Sequence, residues 1–311
     1  MRGIMVKSLI GGIANLEKQN YEIGHGGLSV AGFPFTLDAS TNNVSIRAPL
    51  SETPDPTKNW SIKSDSLRAH SATLTPLSWN VEHRGQMRID MRGRNGERYM
   101  FDIAPANINA HMVVNTAGKL KLARFEMGRA QLDSLVGTPP LISQLGTLGA
   151  GIKISGDIGR VSAMGQNFRL SPKIPNILDN ILGRKLALVE LDADITNWSI
   201  LETDGVNAWL ATNSRINSEH WAIKWGDADI IGNFNLVFKN GLPEGKIHIR
   251  IKKPKPLIQK IIESNPDFEQ YAVQANMLIS LKETEADGRK SVDITIKNGE
   301  VKMGFIPLFK F

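Results

Sequence analysis

From Leu28 onward apolar and polar residues alternate in strict step over long stretches. In Met87-Arg88-Ile89-Asp90-Met91-Arg92 every odd position is apolar and every even one charged. Successive side chains of a strand point to opposite faces, so such a segment has one dry face and one wet one. The same period returns at Ala228, Ile230, Phe234, Leu236 and Phe238, with Gly232 in step, and at Ile247, Ile249 and Ile251 against Lys246, His248, Arg250 and Lys252. Residues 240–245 read as the turn between these strands. Near the C-terminus Val292, Ile294 and Ile296 alternate with Asp293, Thr295 and Lys297. Asn298-Gly299 then signals a tight hairpin before Val301 and Met303. Another hairpin is predicted around Thr116-Ala117-Gly118, joining 108–114 to 119–125. One-sided alternation fits antiparallel sheets facing water rather than doubly buried parallel strands.

Helical spacing is rarer. Met5, Leu9, Ile13 and Leu16 share one helical face within 4–19. Short helices are also expected over 140–148, 172–182 and 256–264, the last with Leu257, Ile258, Ile261 and Ile262 on one stripe. The expected fold class is mainly β, a β-rich α+β chain of long curved antiparallel sheets with a few short helices. Pro139-Pro140 and the glycine-rich stretch 146–159 mark a seam near residue 150. The expected division is an amphipathic helix over 1–20, a β-rich half over 21–150 and a second over 151–311, the two halves forming separate bodies or one continuous domain. Asn59-Trp60-Ser61-Ile62 is echoed by Asn197-Trp198-Ser199-Ile200, and each is followed by a second tryptophan segment, at Trp79 and Trp221. An internal repeat or a chance echo both account for this.

With 311 residues, 41% of them apolar, the chain can fill a sizeable core. It has no cysteine, which excludes disulfides, thiolate metal sites and a thiol nucleophile. Its net charge of +6 is compatible with anionic membrane surfaces or nucleic acid. No run reaches the roughly 18 apolar residues of a membrane-spanning helix, since Ile4 to Ile13 is broken by Lys7, Ser8 and Gly11-Gly12. The start also lacks a secretory signal pattern, which leaves a cytosolic chain or one preceded by an upstream segment.

Motifs for catalysis fail on spacing. In Gly146-Thr147-Leu148-Gly149-Ala150-Gly151-Ile152-Lys153 the lysine follows Gly151 by two positions, and neither Ser nor Thr comes next, so it is not a phosphate loop. Ser29, in Gly27-Leu28-Ser29-Val30-Ala31, lacks the second glycine of a nucleophile elbow, and His25 is too near in sequence to serve it. The six histidines show no H-x-H or H-E-x-x-H spacing and read as solvated strand residues. Asp192 with Asp194, and Asp227 with Asp229, each share a strand face and would hold a hard cation if all four met. The plainer reading leaves them on the wet side. Arg250, Lys252, Lys253, Lys255 and Lys260 form a basic run that suits phosphate headgroups or a merely solvated edge. No nucleic-acid motif accompanies it, so nucleic acid is not an expected partner.

Several segments carry a resemblance. Ala31-Gly32-Phe33-Pro34-Phe35-Thr36-Leu37, then Gly232-Asn233-Phe234-Asn235-Leu236 leading to Gly241-Leu242-Pro243-Glu244-Gly245, and the ending 296–308 with its Gly304-Phe305-Ile306-Pro307-Leu308 tail resemble the bacterial family catalogued as domain of unknown function 2125. The resemblance runs over nearly the whole chain. It implies a membrane anchor, an amphipathic helix and then the G-F-P-F strand, hence a periplasmic protein held at the inner membrane where an upstream segment supplies the anchor, and otherwise a soluble one. The long alternating strands are also similar in style to AsmA-type envelope proteins, which implies a part in lipid movement or envelope upkeep.

The expected function is a non-enzymatic cell-envelope protein that binds phospholipid or an envelope partner along an apolar concave sheet, at a membrane surface and without a cofactor or metal. Phe33, Phe35, Phe234, Leu236, Ile247, Ile249, Lys252, Lys253 and Lys255 are the ligand or partner residues. In an extended segment Phe33 and Phe35 would share a face, packed against the core first and a binding anchor second. The alternatives are a scaffold with a filled core and, last, a cation-dependent hydrolase using the paired aspartates.

Overall fold

The protein is described from a computed structural model that covers residues 11, 13–14, 16–32, 34–51, 58–92, 97–137, 140–171, 176–264, 273, 277, 279–280, 284–304 and 306–310. It is mainly β, and the chain divides into two compact units, 1–149 and 150–311.

The first unit is an antiparallel meander. Its strands are β1 (Glu22–Gly24), β2 (Leu28–Ala31), β3 (Thr36–Arg47), β4 (Trp60–Ala72), β5 (Ser78–His83), β6 (Met87–Arg92), β7 (Arg98–Ala104), β8 (Ile108–Val114), β9 (Leu120–Met127), β10 (Ala130–Val136) and β11 (Ile142–Leu145). Long β3 pairs with β4 along its length, while β2 and β1 pair successively with β3. β4 then meets β5 with one half and β6 with the other. β5 continues to β8 and β9, and β6 to β7 and β10. Each ladder is thus interrupted at one level, along a row formed by 25–27, Asn43, Asp65–Ser66, 84–86, 105–107 and 128–129.

The row keeps its own hydrogen bonds. Gly26 N–H donates to Asn42 O, Asp65 N–H to Gln86 O, Ala106 N–H to Gly85 O and Gly128 N–H to Asn107 O. Asn43 takes a left-handed conformation, φ 52°. Gly85 has φ 113°, and a Cβ there would come within 2.7 Å of the Asp65 carboxylate, so this crossing needs glycine. Register places Val30, Ala39, Ala69, Val81 and Ala110 in one apolar row and Asp38, His70, Asn80 and His111 on the opposite, polar face.

The second unit repeats the meander with longer ladders. β12 (Thr147–Ser155) crosses the unit boundary and leads to β13 (Ile158–Leu170) and helix α1 (Asn176–Leu182). Then come β14 (Lys185–Thr196), α2 (Trp198–Thr203), α3 (Gly205–Leu210), β15 (Arg215–Trp225), β16 (Ala228–Lys239), β17 (Leu242–Lys252), α4 (Pro254–Ser264), β18 (Arg289–Lys297), β19 (Glu300–Met303) and β20 (Ile306–Lys310). From β13 to β20 each strand pairs antiparallel with the next.

Helices occupy the ends of these ladders. α2 starts where Asp157, in the turn before β13, takes the Ser199 backbone N–H at 2.8 Å and its hydroxyl at 2.7 Å. That cap satisfies a helix-end donor. α3 buries Trp209, which lies 5.1 Å from Phe238 and donates its indole N–H to Thr196 O. α4 opens on Pro254, whose missing N–H costs nothing in a first turn. It sets Ile258 against Ile279 and Val292, with Ile262 and Met303 beside them.

Several expectations change. Residues 140–148 are β11 and the start of β12 rather than a helix. Leu145 pairs with Ala130 and Gln144 with Gln131; Gly146 disfavours a helix there, and the ladder takes the segment. The turn before β17 is only Asn240-Gly241, both left-handed at φ 51° and 80°, so the strand begins at Leu242 rather than beyond Gly245. In the Asn-Trp echo both asparagines are left-handed, but Trp60 opens a strand and Trp198 a helix. Of the helix expected over 4–19 the described residues are 11, 13–14 and 16–19, helical up to 18 and a turn at 19, and of that over 172–182 residues 172–175 lie outside the described residues.

A Cβ on Gly232 would approach His248 O to 2.4 Å and the Trp221 ring to 2.6 Å. Gly232→Ala should therefore destabilise the protein by about 1–3 kcal/mol in urea unfolding, whereas Gly128→Ala, with nothing within 4 Å, should stay within about 0.5 kcal/mol.

Candidate functional site

The register of the second unit builds one continuous apolar face. Val189, Ile223, Ile230 and Ile251 form one cross-strand row, and Leu191, Trp221, Gly232, Ile249 and Val292 the next. Phe234, Ile247, Ile294 and Met303 follow, then Leu236, Gly245, Ile296 and Val301. The face is only partly covered. Val292, Ile296 and Val301 are buried, while Ile230, Phe234, Leu236, Ile247, Ile249, Ile251 and Ile294 each remain half-buried.

Aromatic rings lie flat on it where strands carry glycine. Gly232 makes room for Trp221, and Gly159 for Trp198, where a Cβ would come within 2.3 Å of the ring. Both indole N–H groups are buried with no hydrogen-bond partner among the described residues. A buried donor without an acceptor is uncommon in folded proteins.

The opposite face is polar and internally paired. Arg160 forks onto Asp194 at 2.8 and 3.0 Å and holds that carboxyl below its usual range. Arg289 binds Asp229 at 2.7 Å, His248 meets Asp293 at 2.7 Å, and Arg250 reaches Glu285 and Asp287. Lys260 bonds Asp227, whose carboxyl is likewise lowered. Of the four aspartates expected as a cation cluster, Asp194, Asp227 and Asp229 are each held by a separate cation. Among the described residues no group of three or more His, Asp or Glu is placed to hold a metal ion.

The lysines differ. Lys252 ends β17, Lys253 takes a left-handed bend at φ 48°, and Lys255 lies in the first turn of α4. All three are exposed, and none pairs with an acid among the described residues. Register brings exposed Lys224 to the same end of the sheet, through Asp229, which Arg289 already occupies. This end of the sheet thus carries free positive charge beside neutralised acids, with Lys224 and Lys252 on the polar face behind the apolar rows.

Of the predicted residues, Phe234, Leu236, Ile247 and Ile249 lie together on the apolar face, while Lys252, on the other face, and Lys253 and Lys255 lie at one end of the same sheet. Phe35 does not pack: it sits in the turn between β2 and β3 and is 80% exposed. The expected extended segment stops there because the chain must reverse from β2 into β3. Phe33 lies outside the described residues.

Polar chemistry in the first unit gathers at the interruption row. A basin of 410 Å³ is lined by Asn43, Val44, Ser45, Lys63, Ser64, Asp65, Gln86 and Arg88. Arg88 forks onto buried Asp102 at 2.6 and 2.8 Å, and Gln86 Nε2 adds 2.7 Å. His83 is 4% exposed, not the solvated strand residue expected, because its strand face is the dry one. Its Nδ1 lies 2.7 Å from Ser64 Oγ and 2.8 Å from Ser66 O. A carbonyl oxygen only accepts, so Nδ1 carries the proton and cannot take one from Ser64. Strand register alone gathers these groups, and no spacing in the sequence marks them.

A family model described as "Uncharacterized protein conserved in bacteria (DUF2125)" matches residues 5–311. No curated protein matches the chain, and no solved structure does. Among the described residues no helix is long and apolar enough to cross a membrane.

Arg88 and Gln86 hold the Asp102 carboxyl low, Arg98 does so for Asp90, and His70 with Thr36 and Arg68 for Asp38. Groups depressed on folding stabilise the fold above their unfolded pKa of about 3.9, and that stability is lost as pH falls through the folded values. The urea midpoint should stay flat from about pH 7 to 5 and drop below about pH 4, and Asp102→Asn should flatten part of that drop.

Proposed function

This chain belongs to the bacterial family DUF2125, and on that premise we propose that it is a non-catalytic cell-envelope protein that binds anionic phospholipid on the apolar face of its second unit. The observation that carries the reading is the unsealed side of β14–β18. Its isoleucines and Phe234 line up in register yet remain half-buried. Apolar area left partly in water is stabilised by covering it, at about 25 cal/mol per Å². Acyl chains fit a face of this composition. Lys252, Lys253 and Lys255, with Lys224, stand at one end of the same sheet, where a phosphate headgroup would lie. The family's place in the envelope, and an anchor upstream of the chain, belong to the same proposal.

Protein expressed in a bacterial host and purified gently should carry near-stoichiometric phospholipid by native and denaturing mass spectrometry. Phe234→Glu or Ile249→Glu, in variants that keep their strand signal by circular dichroism, should lose it. A ligand-free wild type would favour a filled-core scaffold instead. The triple variant Lys252→Glu, Lys253→Glu, Lys255→Glu should weaken binding to phosphatidylglycerol vesicles at least on the order of a hundredfold, at about 1 kcal/mol per lysine.

A further inference from the structure

Independently of ligand binding by the second unit, we infer that one end of the first unit is an interfacial membrane-insertion tip built from adjacent turns, led by Phe35 and Leu74. The turn between β2 and β3 exposes Phe35 to 80%, and the turn between β4 and β5 exposes Leu74 to 94% and Leu77 to 37%. Single exposed apolar residues are ordinary. Here they are held side by side. Thr73 N–H donates to Phe35 O at 3.1 Å, and its hydroxyl reaches the carbonyls of Pro34 and Phe35 at 2.8 Å each. The turn between β8 and β9 adjoins them through Val114 N–H to Leu77 O.

Entering lipid demands that backbone polar groups be satisfied within the protein. Much of the tip's backbone is paired in this way. Thr36 N–H bonds Gly32 O, Thr75 N–H bonds Ala72 O, and Ser78 N–H and the Ser71 hydroxyl bond Thr75 O. Pro34 and Pro76 have no N–H to satisfy. In the third turn Asn115 Oδ1 takes the N–H groups of Ala117 and Lys119.

Charge points to the same partner. Segments 32–35, 73–77 and 115–119 contain no acidic residue and one cation, Lys119. Asp38, just behind, is tied to His70 at 2.9 Å and to Arg68 at 3.3 Å. A protruding, acid-free apolar knob with an exposed lysine suits the headgroup–acyl boundary of a bilayer.

The absence of cysteine allows the test. Leu74→Cys carrying a polarity-sensitive fluorophore should blue-shift on phosphatidylcholine vesicles and be quenched by brominated acyl chains, while Ser40→Cys on the polar face should not. Neutral vesicles remove the lysine attraction, so failure here is separable from failure of the phospholipid reading. Phe35→Ser with Leu74→Ser should lower partitioning roughly a hundredfold, about tenfold per side chain. Both sites are exposed turns, so the variant keeps its fold, which circular dichroism checks. Vesicle binding unchanged in the double variant, no vesicle binding by the wild type, or a wild-type dimer that the double variant converts to monomer would each overturn the insertion tip.

Discussion

Antiparallel backbone ladders decide nearly everything else in this protein. Once β16 is hydrogen-bonded to β17, and β17 to β18, the two-residue period assigns each side chain a face and a row. The apolar rows of the second unit and the charge pairs on its other side are two outcomes of that single constraint. Among the described residues α1 to α4 lie where ladders end, and two of them take outside help. Asp157 caps α2, and Pro254 opens α4.

The two units use the constraint differently. In the second the ladders run long, with bulges at β14–β15, β15–β16 and β19–β20. In the first every ladder breaks at one level. A broken ladder frees carbonyl oxygens, and polar side chains move in. Ser66 O takes His83, and the Asp65 carboxylate takes the Gln86 N–H. Buried His83 is thus held at the interruption through its Nδ1.

Much of the fold was legible because alternation is a one-dimensional signal. The strands at 87–92, 228–239 and 289–297, the 247–251 stretch of β17 and the hairpin at Asn298-Gly299 lie where the pattern puts them. What escaped depends on partners distant in sequence. The segment 140–148 has helical spacing, but β10 supplies a ladder for it. The Asp157 cap acts across 42 residues. Phe35 reads as a strand residue, and only the reversal into β3 lifts it into water. Of the candidate site, the apolar stripe and the lysines were readable. The tryptophan seats were not, because Gly232 and Trp221 meet through register, not through proximity in the chain.

The row of interruptions also has an evolutionary consequence. Adding one residue to a paired strand turns every later side chain onto the wrong face. At the row of 25–27, Asn43, 84–86, 105–107 and 128–129 the ladders are already released, so a gained or lost residue is absorbed before the next pairing begins. Changes of length in descendants of this chain should therefore collect along that row as well as at hairpin tips, which makes it a natural place for the first unit to be remodelled without being refolded.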